Sequence, residues 1–146
     1  MIVNDWRHLT VRKQHPFNFE KWHQFLINAE GVQVPWVEGE HMTTHPVYDE
    51  QMMTLAQAFE WSDYYDQNYD RTLHQKGLDQ LREEEVVIIA RTSRDFQELR
   101  AVTSVIIHEE RHLEGMWAAM LEKGILLRLL QRLESQKPID FPGPNY

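Results

Sequence analysis

The feature that most constrains this chain is the run from Asp95 to Leu133. Its apolar residues recur at three- and four-residue spacing, the period of an α-helix, and no strand can satisfy that period. Asp95 followed by Glu98 has the pattern of a helix start, the carboxylate accepting a free backbone N–H of the first turn. Leu99, Val102, Ile106, Leu113 and Trp117 then fall along one side, with Val105 beside them. Gly115 bends or divides this helix and Gly124 breaks it. Ile125–Leu133 forms a last amphipathic helix through Leu126, Leu127, Leu129 and Leu130.

The same spacing predicts a helix over Phe17–Ala29, on Phe19, Trp22, Phe25, Leu26 and Ala29, with Gly31 as its stop. Asp49 caps a second over Glu50 to about Phe59, striped by Met52, Met53, Leu55, Ala56 and Phe59. Ser62 has the chemistry to cap a short helix through Tyr64, Tyr65 and Asn68. Val86–Ala90 fits a strand or a buried helical turn. The acidic run Glu83-Glu84-Glu85 before it suits a helix N-terminus and favours helix. Val32–Val37 is the best extended element, although Pro35 cannot donate to a ladder. Glu38–Pro46 reads as loop, residues 1–16 and 70–84 are not assigned, and the Pro-rich stretch over 136–146 reads as an extended tail. The expected fold is therefore all-α or nearly so: a compact helical bundle in one domain spanning 1–146, with one short extended element near 32–37.

Charge and composition exclude several functions. With 15 basic and 23 acidic residues the chain carries a formal −8, which repels phosphate backbones, and no dense basic cluster offsets it. Nucleic acid is not expected as a partner. There is no cysteine, so disulfides and thiolate chemistry are excluded and any metal must be held by His, Asp or Glu. Met1–Trp6 lacks the basic start and apolar run of a signal peptide, and no apolar run approaches the ~20 residues of a membrane span. A cytoplasmic location, without membrane contact, is the expectation.

One motif carries specific chemistry. His108-Glu109-Glu110-Arg111-His112 matches H-E-x-x-H. On an α-helix, residues four apart sit one above the other, so His108 and His112 could share a zinc ion with Glu109 as general base on its water. Against this, the third histidine of the longer zinc-peptidase pattern is Ala118, the spacers are both charged, and Glu122 or Glu134 recommend themselves as third ligands only by availability. The plainer reading is a helix whose His and Glu side chains face solvent or bond to neighbours. His41 and His45, in a loop, form a second pair open to the same two readings. The aromatic cluster of Trp61, Tyr64, Tyr65 and Tyr69 reads as core with hydroxyls at the rim, or as a binding surface.

The stretch Glu110-Arg111-His112-Leu113-Glu114-Gly115, continuing through Glu122-Lys123-Gly124 to Arg132-Leu133, resembles the bacterial domain-of-unknown-function family 6508. Pro35-Trp36-Val37 with Tyr48, and Phe59-Glu60-Trp61, are similar to further segments of that family. The resemblance runs from about Val32 to Leu133. Its matching positions are Glu110, Arg111, Glu114, Gly115, Glu122 and Gly124, whereas His108 and His112 depart from its pattern. The resemblance implies a fold and no reaction, and it places the zinc motif on the departures.

Among the matching residues, Arg111 can pair with Glu114 or reach Glu122, and Glu114 can reach Arg132, either to fix how helices cross or to line a polar pocket. Three functional classes follow. The first is a non-enzymatic interaction or regulatory domain, with a protein partner or a second copy of itself and no cofactor. The second is a zinc hydrolase on His108, His112 and Glu109. The third is a small-ligand pocket around Glu110, Arg111, Glu114 and Trp117.

Overall fold

The structure, a computed structural model, describes residues 14–142 apart from 112 and 113 and the side chain of Arg111. It is mostly helical, with a small two-stranded sheet. The helices are α1 (Phe19–Ala29), α2 (Glu50–Trp61), α3 (Tyr69–Gln75), α4 (Glu83–Thr92), α5 (Phe96–His108), α6 (Met116–Glu122) and α7 (Ile125–Ser135). The strands β1 (Trp36–Glu38) and β2 (Thr44–Pro46) are antiparallel, with Val37 opposite His45.

The helix starts follow from short polar side chains. Asn18 caps α1 by accepting from the Lys21 N–H, Asp49 caps α2 by accepting from the Gln51 N–H, and Asp95 caps α5 by accepting from the Glu98 N–H. At α5 the return bond of a capping box is rerouted. Glu98 accepts from the Ser93 hydroxyl, and that same oxygen accepts from the Asp95 N–H.

Helix α5 is the axis of the fold. Leu99, Ala101, Val102, Thr103, Ser104, Ile106 and Ile107 are all buried, so it is enclosed nearly all round. Helices α2, α3 and α7 pack on it, and α7 also holds α1, α4 and α6. From α7, Leu126, Leu129, Leu130 and Leu133 are completely inside, in one continuous apolar cluster with Leu26 and Phe59. The buried hydroxyls do not break this core. Thr103 donates to the Leu99 carbonyl, and Ser104 donates to the Arg100 carbonyl while accepting from the Asp66 N–H.

Several expectations are corrected. Glu38–Pro46 is not all loop: Thr44–Pro46 pairs with Trp36–Glu38 to close a hairpin, so the strand covers only the end of the expected 32–37 element and runs one residue past it. Its tip turns through His41 and Met42, both at positive φ, where turn signals of the Asn-Gly kind are absent. Helix α2 runs on to include Trp61. No helix starts at Ser62; the next one begins at Tyr69. The reason is Arg100, whose guanidinium collects the carbonyls of Asp63, Tyr64 and Tyr65 and so removes them from any helical ladder. The unassigned stretch 70–84 contains most of α3, which Gly77 ends at a φ of 74°. The tail over 138–142 is neither helix nor strand and returns Phe141 to the core against Tyr64 and Phe96. The N-terminal reading falls mostly on residues 1–13, outside the described part; residues 14–18 are neither helix nor strand.

Candidate functional site

The site is built at the junction of α5 and α6. Helix α5 ends at His108, a single 3-10 turn over Glu109–Arg111 follows, and Gly115, at a φ of 96°, turns the chain into α6. Each helix end leaves backbone groups without partners. Here side chains from the junction supply them. Glu110 folds back on the start of α6, accepting from the Gly115 N–H at 2.8 Å and from the Trp117 N–H at 2.8 Å. A third donor, the Tyr48 hydroxyl, reaches the same carboxylate at 2.7 Å, and the Tyr48 oxygen accepts in turn from the Ala118 N–H at 3.1 Å. A carboxylate at a helix N-terminus also meets the positive end of the helix dipole. In the opposite direction, the Trp117 indole N–H donates to the carbonyls of Ile106 and Ile107, near the last turn of α5. Burial first, and then the bond to Glu110, push the Tyr48 phenol well above the ordinary tyrosine range.

This junction forms one wall of a cleft of about 510 Å³. Pro46 of the hairpin and Met53, Ala56, Gln57 and Glu60 of α2 form the other walls, with Ile107, His108, Glu110, Glu114 and Trp117 from the junction. The Trp117 ring meets that of Tyr48 edge-on at 5.2 Å. Trp36 of β1 leans over Gly115 so closely that a Cβ there would lie 2.8 Å from its ring. Among the described residues the lining of the cleft therefore combines the buried Trp117 and Ile107 with the carboxyl-bearing Glu60, Glu110 and Glu114. Glu110 is held by its three donors. Glu114 is exposed and makes no hydrogen bond or ion pair among the described residues. The Glu60 carboxylate lies 3.5 Å from His108 Nδ1, close enough for an ion pair when the imidazole is protonated, yet the geometry is not that of a hydrogen bond and Nδ1 is left without one.

Of the residues singled out from sequence, the structure brings His108, Glu110, Glu114 and Trp117 to this one cleft. Glu109 is turned elsewhere, accepting from the Tyr69 hydroxyl at 2.6 Å. The H-E-x-x-H spacing does not lie within one α-helix, because α5 stops at His108; His112 falls outside the described residues. Among the described residues no three His, Asp or Glu side chains converge as a metal site would need. The other pair is split between the hairpin tip, with His41, and β2, with His45. Of the alternatives weighed for Glu114, a pair with Arg132 is not made among the described residues: Arg132 Nε donates to the Ser93 carbonyl at 2.8 Å. Glu122 instead braces the segment before β1, its side chain accepting from the Val34 N–H and its carbonyl from the Gly31 N–H. In the aromatic cluster Tyr64 and Tyr69 are buried and Trp61 is 72% exposed. Sequence reasoning gave no role to Tyr48, Glu60 or Pro46, and it placed Met53 on the apolar stripe of α2, where the structure instead leaves it 48% exposed. The nearest signal was the resemblance, which matched Tyr48 and Glu60 without saying what they do.

Fold and site together define a mostly helical compact fold with a cleft lined, among the described residues, by three glutamates and Trp117 beside a β-hairpin. The chain belongs to the family of unknown function DUF6508, whose family profile matches residues 17–138. No curated protein and no solved structure matches it. No helix among the described residues is long and apolar enough to cross a membrane.

Proposed function

We propose that this chain is a non-enzymatic interaction domain of the bacterial cytoplasm that binds a small ligand carrying a positive charge on an apolar body. The observation that carries the reading is the cleft of about 510 Å³, in which Glu60, Glu110 and Glu114 meet Trp117, Ile107 and Met53. Its volume lies in the range of small-molecule sites, and its walls combine apolar surface with a few convergent polar groups. A cation entering it approaches Glu114, which no described partner neutralises, while its hydrocarbon part covers the Trp117 and Ile107 floor. The formal charge of −8 favours the same ligands at long range.

Binding fits the site better than hydrolysis. Glu110 is committed to three donors and Glu109 to Tyr69, so neither is poised to take a proton from water.

The test is thermal unfolding in the presence of agmatine and cadaverine, with glutarate as the matched dianion. The amines should raise the melting temperature and glutarate should not. Saturation at 100 times Kd corresponds to about 2.7 kcal/mol. Glu114→Gln should fold normally and lose most of the response. Equal effects of amine and dianion, or a response unchanged in Glu114→Gln, would overturn the reading.

A further inference from the structure

Tyr48 also lines a second cleft, of about 460 Å³, bounded by α1, residues 32–35 and the start of α2. Its chemistry differs from the first. Four exposed carboxamide residues line it: Gln24 and Asn28, one turn apart on α1, then Gln33, then Gln51 on α2. Beneath them the floor is apolar, with Met52 and Leu121 buried and Phe25 half-buried. None of the four side-chain amides makes a hydrogen bond among the described residues, so their donors and acceptors are open to a ligand.

The charged groups of this cleft are already engaged. Lys21 Nζ sits over the Trp22 ring, 4.7 Å from its centre, and the Asp49 carboxylate caps α2 through the Gln51 N–H. An ionic ligand finds one cation offset by one anion here. A planar ligand with alternating donors and acceptors finds a better match, because each carboxamide presents an NH₂ and a C=O in one plane. That pairing is how Asn and Gln read the edge of a nucleobase.

We infer that this second cleft is a binding site for an uncharged planar heterocycle of the nucleobase class, taken as the base or nucleoside and not as a phosphorylated nucleotide. The acidic chain repels a phosphate, and the one lysine of the cleft, Lys21, is offset there by Asp49. This site stands apart from the amine reading, since none of Glu60, Glu110, Glu114 and Trp117 lines it.

The experiment is a ¹H–¹⁵N NMR titration of the whole chain with the common ribonucleosides and, in parallel, their 5′-monophosphates. At least one nucleoside should shift the side-chain NH₂ signals of Asn28 and Gln51 and leave the Trp117 indole signal in place. The matching nucleotide should bind more weakly. Asn28→Leu and Gln51→Leu, both at exposed positions, should each weaken binding about fivefold or more, the equivalent of one lost edge contact. Circular dichroism checks that both variants fold. No shift of those amides by any nucleoside up to its solubility would overturn the inference. So would nucleotides binding as tightly as nucleosides, or Leu variants binding unchanged.

Discussion

The hydroxyl of Tyr48 donates to Glu110 at 2.7 Å across 62 residues of chain, and it is the tie that fixes the hairpin region to the α5–α6 junction. Through it, one phenol and one carboxylate satisfy the N–H groups of Gly115, Trp117 and Ala118, which would otherwise end without partners at the start of α6. Tyr48→Phe keeps the ring and its contact with Trp117 while removing the donor and acceptor. The expected loss is about 1–3 kcal/mol, the cost of leaving partly buried polar groups unpaired, read from the urea midpoint.

Gly115 has two reasons to be glycine. Its φ of 96° is a conformation that L side chains rarely adopt, and a Cβ would lie 2.8 Å from the Trp36 ring. Gly115→Ala should therefore cost about 1–2 kcal/mol for the backbone alone. It should also push the half-exposed Trp36 ring outward. A fall in melting temperature accompanied by a red shift in tryptophan emission is the expected pair of signals.

Alkaline pH should unfold the protein through its tyrosines. Burial is the largest cause in each case. It pushes Tyr64 up to about 12, and with help from Glu110 and Glu109 it raises Tyr48 and Tyr69 further still. A group whose folded pKa is raised contributes stability that is complete below its unfolded value and is lost as pH rises toward the folded one. Stability should thus hold to about pH 10, the ordinary tyrosine value, and fall above it. Absorbance of phenolate near 295 nm should rise together with loss of helix. Free titration of these phenols in a fully helical protein would contradict the burial described.

Zinc chemistry makes an opposite prediction that is simple to check. Because α5 ends at His108 and Glu109 is held by Tyr69, the purified protein should carry no stoichiometric zinc by elemental mass spectrometry, and a His108→Ala/His112→Ala variant should match it. Near-stoichiometric metal lost in the variant would restore the hydrolase reading.

What the sequence revealed depended on how local the cause was. The periods of α1, α2, α5 and α7 and the caps at Asp49 and Asp95 are written within a few residues and are legible, but the end of α5 is not: the apolar period runs on to Trp117, whereas the helix stops at His108, well before Gly115. The strand β2 was not, because Thr44-His45-Pro46 has no strand pattern of its own and is extended by pairing with Trp36–Glu38. The helix expected after Ser62 failed for a distant reason, the Arg100 guanidinium on the carbonyls of Asp63, Tyr64 and Tyr65. The site divides the same way. Glu110, Glu114 and Trp117 could be singled out from one short segment. Tyr48 and Glu60 join them only through tertiary folding, and no spacing announces a contact between residues 48 and 110.

A cation-binding cleft at the α5–α6 junction is read out by the Trp117 indole N–H signal while agmatine is added. Trp117→Phe assigns the peak among the chain's 5 tryptophans. This signal should move and saturate in the wild type and stay fixed in Glu114→Gln. An indole signal that is unmoved at saturating agmatine, or that moves equally in Glu114→Gln, would contradict it.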